Sequence, residues 1–230
     1  MLEATGLCCI RDDRLLFQSL DLAVGSGELL QIEGPNGAGK TSLLRILAAL
    51  SQPQQGRILF NGEAIDSDRE GYFSQLLYLG HKAGIKQEMT PLENLEFYQQ
   101  VAPAKVDASL WQMLALVGLA GYEDMPAGKL SAGQQRRIAL ARLWLSSAKL
   151  WILDEPFTSL DKQGVAGLQQ HFAAHLQQGG AIIMTSHQEL HMPTVPVRRL
   201  MLGSSVEDVA GAGTGSEPAP QQVLVSGGVQ

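Results

Sequence analysis

Short apolar runs and longer stretches of helical spacing take turns along this chain. "ELLQIE" at 28–33 is continuous and brief, as in a buried strand, and beyond "GPNGAGKT" at 34–41 the segment "TSLLRILAAL" sets its apolar residues at helical spacing. The order is strand, glycine loop, helix. "RILFNGEAI" at 57–65 reads as a strand with an Asn-Gly turn in a small hairpin region, and "LLYL" at 76–79 as another short strand. From about 82 to 148 the spacing turns helical. Thr90, Pro91 and Glu93 fit the N-cap, N1 and N3 positions of a capping box, "VDASLWQMLALVGL" supplies a second helix, and a third follows the Ser-Ala-Gly-Gln stretch. "KLWILDEP" at 149–156 is a buried strand ending in two carboxylates. A helix near 162–177, the strand "AIIMTSH" and a last strand "VRRLML" at 197–202 complete the series. The alternation predicts an α/β fold: a mostly parallel sheet with covering helices and a helical block inserted between strands. The chain has no internal repeat.

Composition sets the limits of this picture. The 230 residues suffice for one substantial core, or for one domain with an inserted subdomain. With 45% hydrophobic and 17% charged residues, wholesale disorder is excluded. Beyond Gly203 the chain has no aromatic residue, Lys or Arg and is rich in Gly, Ala, Ser and Pro, so 203–230 is expected to be a disordered tail. The net charge is −6 and the 17 Lys and Arg residues are scattered, which argues against a nucleic-acid partner. Cys8 and Cys9 are neighbours in an apolar run, read as small buried hydrophobes in a reducing compartment. No window reaches the ~20 consecutive apolar residues of a membrane helix, and the N-terminus lacks a charged-then-apolar export signal. The expected place is therefore the cytoplasm, with any membrane association made through a partner.

Candidate chemistry gathers at the strand ends. Gly34, Gly37 and Gly39 expose backbone N–H groups to phosphate, Lys40 reaches the terminal phosphates, and Thr41 offers a hydroxyl to Mg²⁺. Pro35, Asn36, Ala38 and Ser42 complete the stretch expected to hold ATP. Asp154 can hold Mg²⁺ through water, which leaves Glu155 to polarise the attacking water. His187, after the strand "AIIMTS", is expected at the same edge, within reach of a γ-phosphate. His171 and His175 lie four apart on a helix with no third ligand in view, and are read as a solvated face. "LSAGQQRRIALARL" at 130–143 sets a hydroxyl and a glycine before a helix, a second device for an anion.

The order phosphate loop, "LSAGQ", "LWILDE", "SLD" and "TSH" resembles the nucleotide-binding subunits of ABC transporters over residues 1–202. The resemblance implies a P-loop NTPase cassette: a RecA-like core, a small antiparallel β region and a helical subdomain at about 82–148. It implies ATP and Mg²⁺ as ligands and a catalytic set of Lys40, Glu155 and the switch histidine His187. Ser131, Gly133 and Gln134 would act in trans, on ATP held by the phosphate loop of a second copy, with Asp161 bridging the two. The chain departs from the family in three places. Arg11 stands where an aromatic ring stacks on adenine, and its planar guanidinium can stack instead. His81 stands where a glutamine touches Mg²⁺ and water, and Ala132 replaces a glycine.

The longer stretches "LYLGHKAGIK", "TPLENLEFY", "RRIALARLWLSSAKLWILDEPFTSLD" and "TSHQEL" resemble the ATP-binding subunits of the haem exporters of bacterial cytochrome c maturation. That resemblance implies a peripheral protein on the cytoplasmic face of the inner membrane, paired with two polytopic permease subunits. ATP hydrolysis would serve haem delivery and the release of a loaded periplasmic haem chaperone. The sequence has no Cys-x-x-Cys-His segment, and direct haem binding is not expected. Two alternatives are the ATPase of another ABC exporter and a soluble ABC ATPase of translation or DNA maintenance. The single cassette, the lack of coiled-coil heptads and the acidic balance speak against the second.

Overall fold

The computed structural model describes residues 1–101, 109–186, 192 and 195–203. The strands are β1 (Leu2–Arg11), β2 (Arg14–Val24), β3 (Leu29–Glu33), β4 (Gln55–Phe60), β5 (Glu63–Ala64), β6 (Leu76–Leu79), β7 (Leu150–Asp154), β8 (Ala181–Thr185) and β9 (Val197–Met201). The helices are α1 (Lys40–Leu47), α2 (Arg69–Ser74), α3 (Pro91–Val101), α4 (Leu110–Leu116), α5 (Ala132–Ala141) and α6 (Lys162–Gln177). Of the tail expected at 203–230, residues 204–230 lie outside the described residues. Among the described residues, no helix is long and apolar enough to cross a membrane.

Two sheets form. The first is antiparallel, in the order β2-β1-β4-β5, and its hairpins turn through residue pairs of positive φ: Asp12 and Asp13 at 49° and 60°, Asn61 and Gly62 at 52° and 88°. Positive φ at both central residues matches the twist of the flanking strands, which is why Asn-Gly and Asp pairs serve there. The second sheet is parallel, in the order β6-β7-β8-β3-β9. Every residue of β7 and β8 is buried, as expected of a sheet covered on both faces. The register pairs Asp154 with Thr185 and Thr185 with Ile32, so the strand exits that carry chemistry share one edge.

Alternation along the parallel strands divides the core. Ile32, Ile152 and Ile183 face α1 and the antiparallel sheet, packing with Leu2, Leu7, Phe17, Leu43 and Leu47. Their neighbours Trp151, Leu153, Ile182 and Met184 face the other way, onto Leu168, Phe172 and Leu176 of α6. A third cluster, with Leu95, Leu114, Leu119 and Ile138, joins α3, α4 and α5. Trp144 packs against both the second and the third.

Two expectations are corrected. The helical pattern from 82 onward is loop as far as Thr90, because Asn94 takes over its main chain. The fully buried Asn94 amide accepts from Lys86 N at 2.8 Å and donates to the carbonyls of Lys86 and Thr90, both at 2.9 Å. Helix α3 begins after the expected capping box, in which Thr90 N donates to Glu93 Oε2 at 2.8 Å and Glu93 N to Thr90 Oγ1 at 3.2 Å. His171 and His175 do not form a solvated face. His171 stacks on Trp144 with ring centroids 4.2 Å apart, and His175 on Trp151 at 3.7 Å, both nearly parallel. Burial lowers both imidazoles, His175 to about 4.

Candidate nucleotide site

The loop that leaves β3 needs glycine for two physical reasons. Gly34 has φ 145° and a Cβ there would run into the Leu202 carbonyl, while Gly39 has φ 96° and its Cβ would lie 3.0 Å from that of Leu16. These close approaches let the chain fold tightly enough to present main-chain N–H groups at the N-terminus of α1. Lys40 opens the helix, and its ammonium donates back to the carbonyls of Gly34 at 2.6 Å and Pro35 at 3.1 Å. The same side chain can swing to a phosphate that enters the loop.

The next residue joins this loop to the neighbouring strand. Thr41 Oγ1 donates to Asp154 Oδ2 at 2.9 Å, and Thr185 Oγ1 donates to Asp154 Oδ1 at 2.7 Å. The Asp154 carboxylate is buried but bonded at both oxygens, which is what makes a buried charge tolerable. Glu155 N in turn donates to Thr185 Oγ1 at 2.9 Å. Glu155 has φ 51°, the left-handed region that a side-chain-bearing residue enters only under constraint. The exit of β7 is thus held in a strained turn that sends the Glu155 side chain into the cleft. Thr41 hydroxyl and Asp154 carboxylate form an all-oxygen pair that fits a small hard cation such as Mg²⁺.

These groups line a cleft of about 1280 Å³. Arg11, Arg14 and Leu16 close one end, and Arg11 Nη1 donates to Ser42 Oγ at 3.4 Å. His81 and Gln87 come from the loop after β6, and Ala132, Gln135 and Arg136 from α5. The structure brings Arg11, Asn36, Gly37, Gly39, Lys40, Thr41, Ser42, His81, Asp154 and Glu155 together around one space.

The second anion device borders the same cleft through Ala132, with Gln135 and Arg136 one turn on. Ser131 is the N-cap of α5, accepting from Gln134 N at 3.2 Å, and its own N–H donates to Gln134 Oε1 at 3.0 Å. Ser131, Gly133 and Gln134 are not among the residues that line the cleft. Asp161 caps α6 by accepting from Gly164 N at 2.8 Å and pairs with Arg137 at 3.2 Å. The Gly164 N–H first, and Arg137 second, hold its carboxyl below the usual range. His187 lies outside the described residues.

Sequence reasoning missed Thr185 and Arg136. Thr185 ends an apolar strand with Ser186 directly after it, and what marks it out is its place beside Asp154 in the sheet. Arg136 belongs to an adjacent arginine pair that reads as solvated, yet it is buried and reaches the strand exits.

The family profile described as ABC transporter matches residues 17–158. The cytochrome c biogenesis ATP-binding export protein CcmA of Yersinia pestis is 55% identical over 207 residues, which cover 90% of this chain and 95% of that protein. The protein of the same name from Vibrio cholerae is 54% identical over 204 residues, 88% and 99% of the two chains. In fold, the chain is similar to a putative ABC transporter ATP-binding protein from Pyrococcus furiosus, with TM-score 0.73, 24% identity and coverage of 87% and 96%. It is also similar to the cassette MJ0796, a dimer in a post-hydrolysis state bound to ADP and phosphate, with TM-score 0.74, 18% identity and coverage of 88% and 94%. The chain belongs to the ATP-binding cassettes of the ABC transporter family, in the group of the cytochrome c biogenesis ATP-binding export proteins.

Proposed function

We propose that this chain is the ATP-hydrolysing subunit of a transporter complex that handles haem in cytochrome c biogenesis, and that it works as a pair of copies. The observation that carries the pairing is that the hydroxyl, glycine and amide of the second anion device lie off the lining of the cleft. The cleft gathers Lys40, Thr41, Asp154 and Glu155 and is bordered by Ala132 and Gln135 of α5, whereas Ser131, Gly133 and Gln134 of the same turn are not part of its lining. A second copy, turned to face the first, supplies to each cleft the Ser131, Gly133 and Gln134 groups that the cleft's own α5 does not turn into it. Asp161 lies at the same face, at the start of α6.

Within one cleft, the N–H groups of the loop and Lys40 hold the phosphates, and Arg11 stacks on the base. Thr41 and Asp154 hold Mg²⁺, which when bound neutralises charge on the phosphate oxygens. Glu155 accepts the proton of the attacking water, aimed by its constrained main chain. The role of switch at the γ-phosphate is assigned to His187, and that of the glutamine beside the water in other cassettes to His81. ATP joins the copies, and its hydrolysis leaves products that repel and part them. The helices α3 to α5 carry this motion to a membrane partner.

The relatives are named for export in cytochrome c biogenesis, and haem, the group that a c-type cytochrome carries, is the cargo that this name supports. The complex accordingly contains two polytopic permease subunits at the inner membrane, with the chain on the cytoplasmic face, and acts on a periplasmic haem chaperone. The two alternatives, another exporter and a soluble ATPase of translation or DNA maintenance, find no support in these relatives. Tagging the full chain, solubilising membranes gently and identifying the co-purifying proteins tests the assignment. Two polytopic subunits with the haem chaperone are expected, with ATP turnover that Glu155→Gln abolishes. A chain that stays in the soluble fraction with all its chromosomal partners present refutes it.

A further inference from the structure

Arg136 lies on α5, five residues beyond Ser131, with only 7% of its surface exposed. Burial works against a guanidinium, and the nearby carboxylates of Asp154 and Glu155 offset this. Its hydrogen bonds go to main chain. Nη1 donates to the Gly80 carbonyl at 2.5 Å, and Nη2 to the carbonyls of Asp154 and, at 3.3 Å, Glu155. Gly80 follows β6 and Glu155 follows β7, adjacent strands in which Leu79 pairs with Leu153. One side chain therefore staples the exits of two parallel strands, where main-chain carbonyls would otherwise splay apart.

The position of this staple matters for chemistry. His81 departs from the first exit and Glu155 from the second, and both line the cleft. Glu155 sits in a left-handed conformation, so whatever fixes its main chain fixes the direction of its carboxylate. The N-terminal turn of the same helix carries Ser131 to Gln134. At 1.5 Å per residue the two functions are separated by only about 7 Å of rigid helix. Displacing the helix N-terminus displaces the staple.

We propose that Arg136 is a positioning residue that ties the strand exits of its own catalytic centre to the helix that caps ATP in the other copy. Seating of α5 on the partner's nucleotide then sets Glu155 and the loop of His81 for hydrolysis in the same chain. The proposal rests on the paired reading given above. Arg136 is not called on to bind nucleotide, so it acts on turnover and not on affinity.

The test uses Arg136→Gln and Arg136→Lys in the assembly that co-purifies with the full chain. For Arg136→Gln, kcat for ATP falls by at least about tenfold while KM changes by less than about twofold. Arg136→Lys, which keeps the charge but loses the planar fork, falls less. In a Glu155→Gln background, MgATP drives pairing of the full chain equally with and without Arg136→Gln, as read by size-exclusion chromatography. Turnover at the wild-type rate in both variants overturns the proposal, as does a rise in KM that matches the fall in kcat. Where Arg136→Gln does not fold, Arg136→Lys decides alone: wild-type turnover in it overturns the proposal, and a lowered kcat at unchanged KM and Tm supports it. Failure of Glu155→Gln itself to pair with MgATP is a different result, and refutes the paired reading beneath.

Discussion

Replacing Thr185 by valine removes one hydroxyl and keeps the shape of the side chain. That hydroxyl is fully buried, donates to Asp154 Oδ1 at 2.7 Å and accepts from Glu155 N at 2.9 Å. A hydrogen bond to a charged group contributes about 1.5–3 kcal/mol, and a buried donor left without its acceptor costs about 1–3 kcal/mol. The two losses share one centre and are not additive, so the expected destabilisation is about 3 kcal/mol. For a chain of this size that lowers Tm by roughly 6–12 °C. Turnover falls as well, because the strained turn at Glu155 loses its tether to β8 while Thr41 still holds the other Asp154 oxygen. Thr185→Ser restores the hydroxyl and sacrifices one methyl group, at about 1 kcal/mol, so it recovers most of both properties. Thermal unfolding of the full chain and ATP turnover of the co-purified assembly measure the two effects. Thr185→Val with a Tm within about 2 °C of wild type and wild-type kcat refutes the reasoning.

Two further predictions concern the aromatic layer and the loop after β6. Burial lowers His175 to about 4 from an ordinary 6.5, so the native imidazole stays neutral where the unfolded one takes up a proton. Its contribution is complete above pH 6.5 and is lost as pH falls toward 4. With allowance for its partial exposure, the loss is roughly 2 kcal/mol. Urea unfolding across that range should show a steeper loss in wild type than in His175→Phe, and parallel curves contradict the assignment. Asn94→Ala removes the amide that ties down the loop from Lys86 to Thr90, at a cost of about 2–4 kcal/mol. Amide exchange in that loop should quicken severalfold, and unchanged protection there rules the tether out.

The parallel sheet was legible because β3, β7 and β8 are short continuous apolar runs next to glycine or carboxylate clusters. The antiparallel sheet was legible only at Asn61-Gly62. β1 shifts register between Ala4 and Leu7 and again around Cys9, and each shift breaks the alternation by which a strand is recognised. The loop from 82 to 90 is punctuated by Gly84, at φ 67°, and by Pro91 after the Thr90 cap, which a helical block reckoned from 82 passes over, and the residue that holds its main chain, Asn94, lies in the next helix. In the site, motif residues announced themselves by type and spacing. Thr185 and Arg136 did not, because each acts through main chain or carboxylates brought near by the sheet, and neither is near them in sequence. The pair His171 and His175 misled for the same reason: their partners Trp144 and Trp151 are more than twenty residues away.

Trp144 is shared by the apolar cluster under the parallel sheet and the cluster among the helices, and its indole lies flat on His171. A rotation of α3 to α5 against the sheet has to slide that ring across the imidazole. Indole emission depends on such contact, so the chain carries its own optical gauge at the seam where motion would pass. Trp151, stacked on His175 and 5.2 Å from His171, lies on the sheet side of the same layer, and Trp111, exposed on α4, can be replaced without touching either stack. A nucleotide-driven shift at that seam would then be read in unlabelled protein as a change in Trp144 emission.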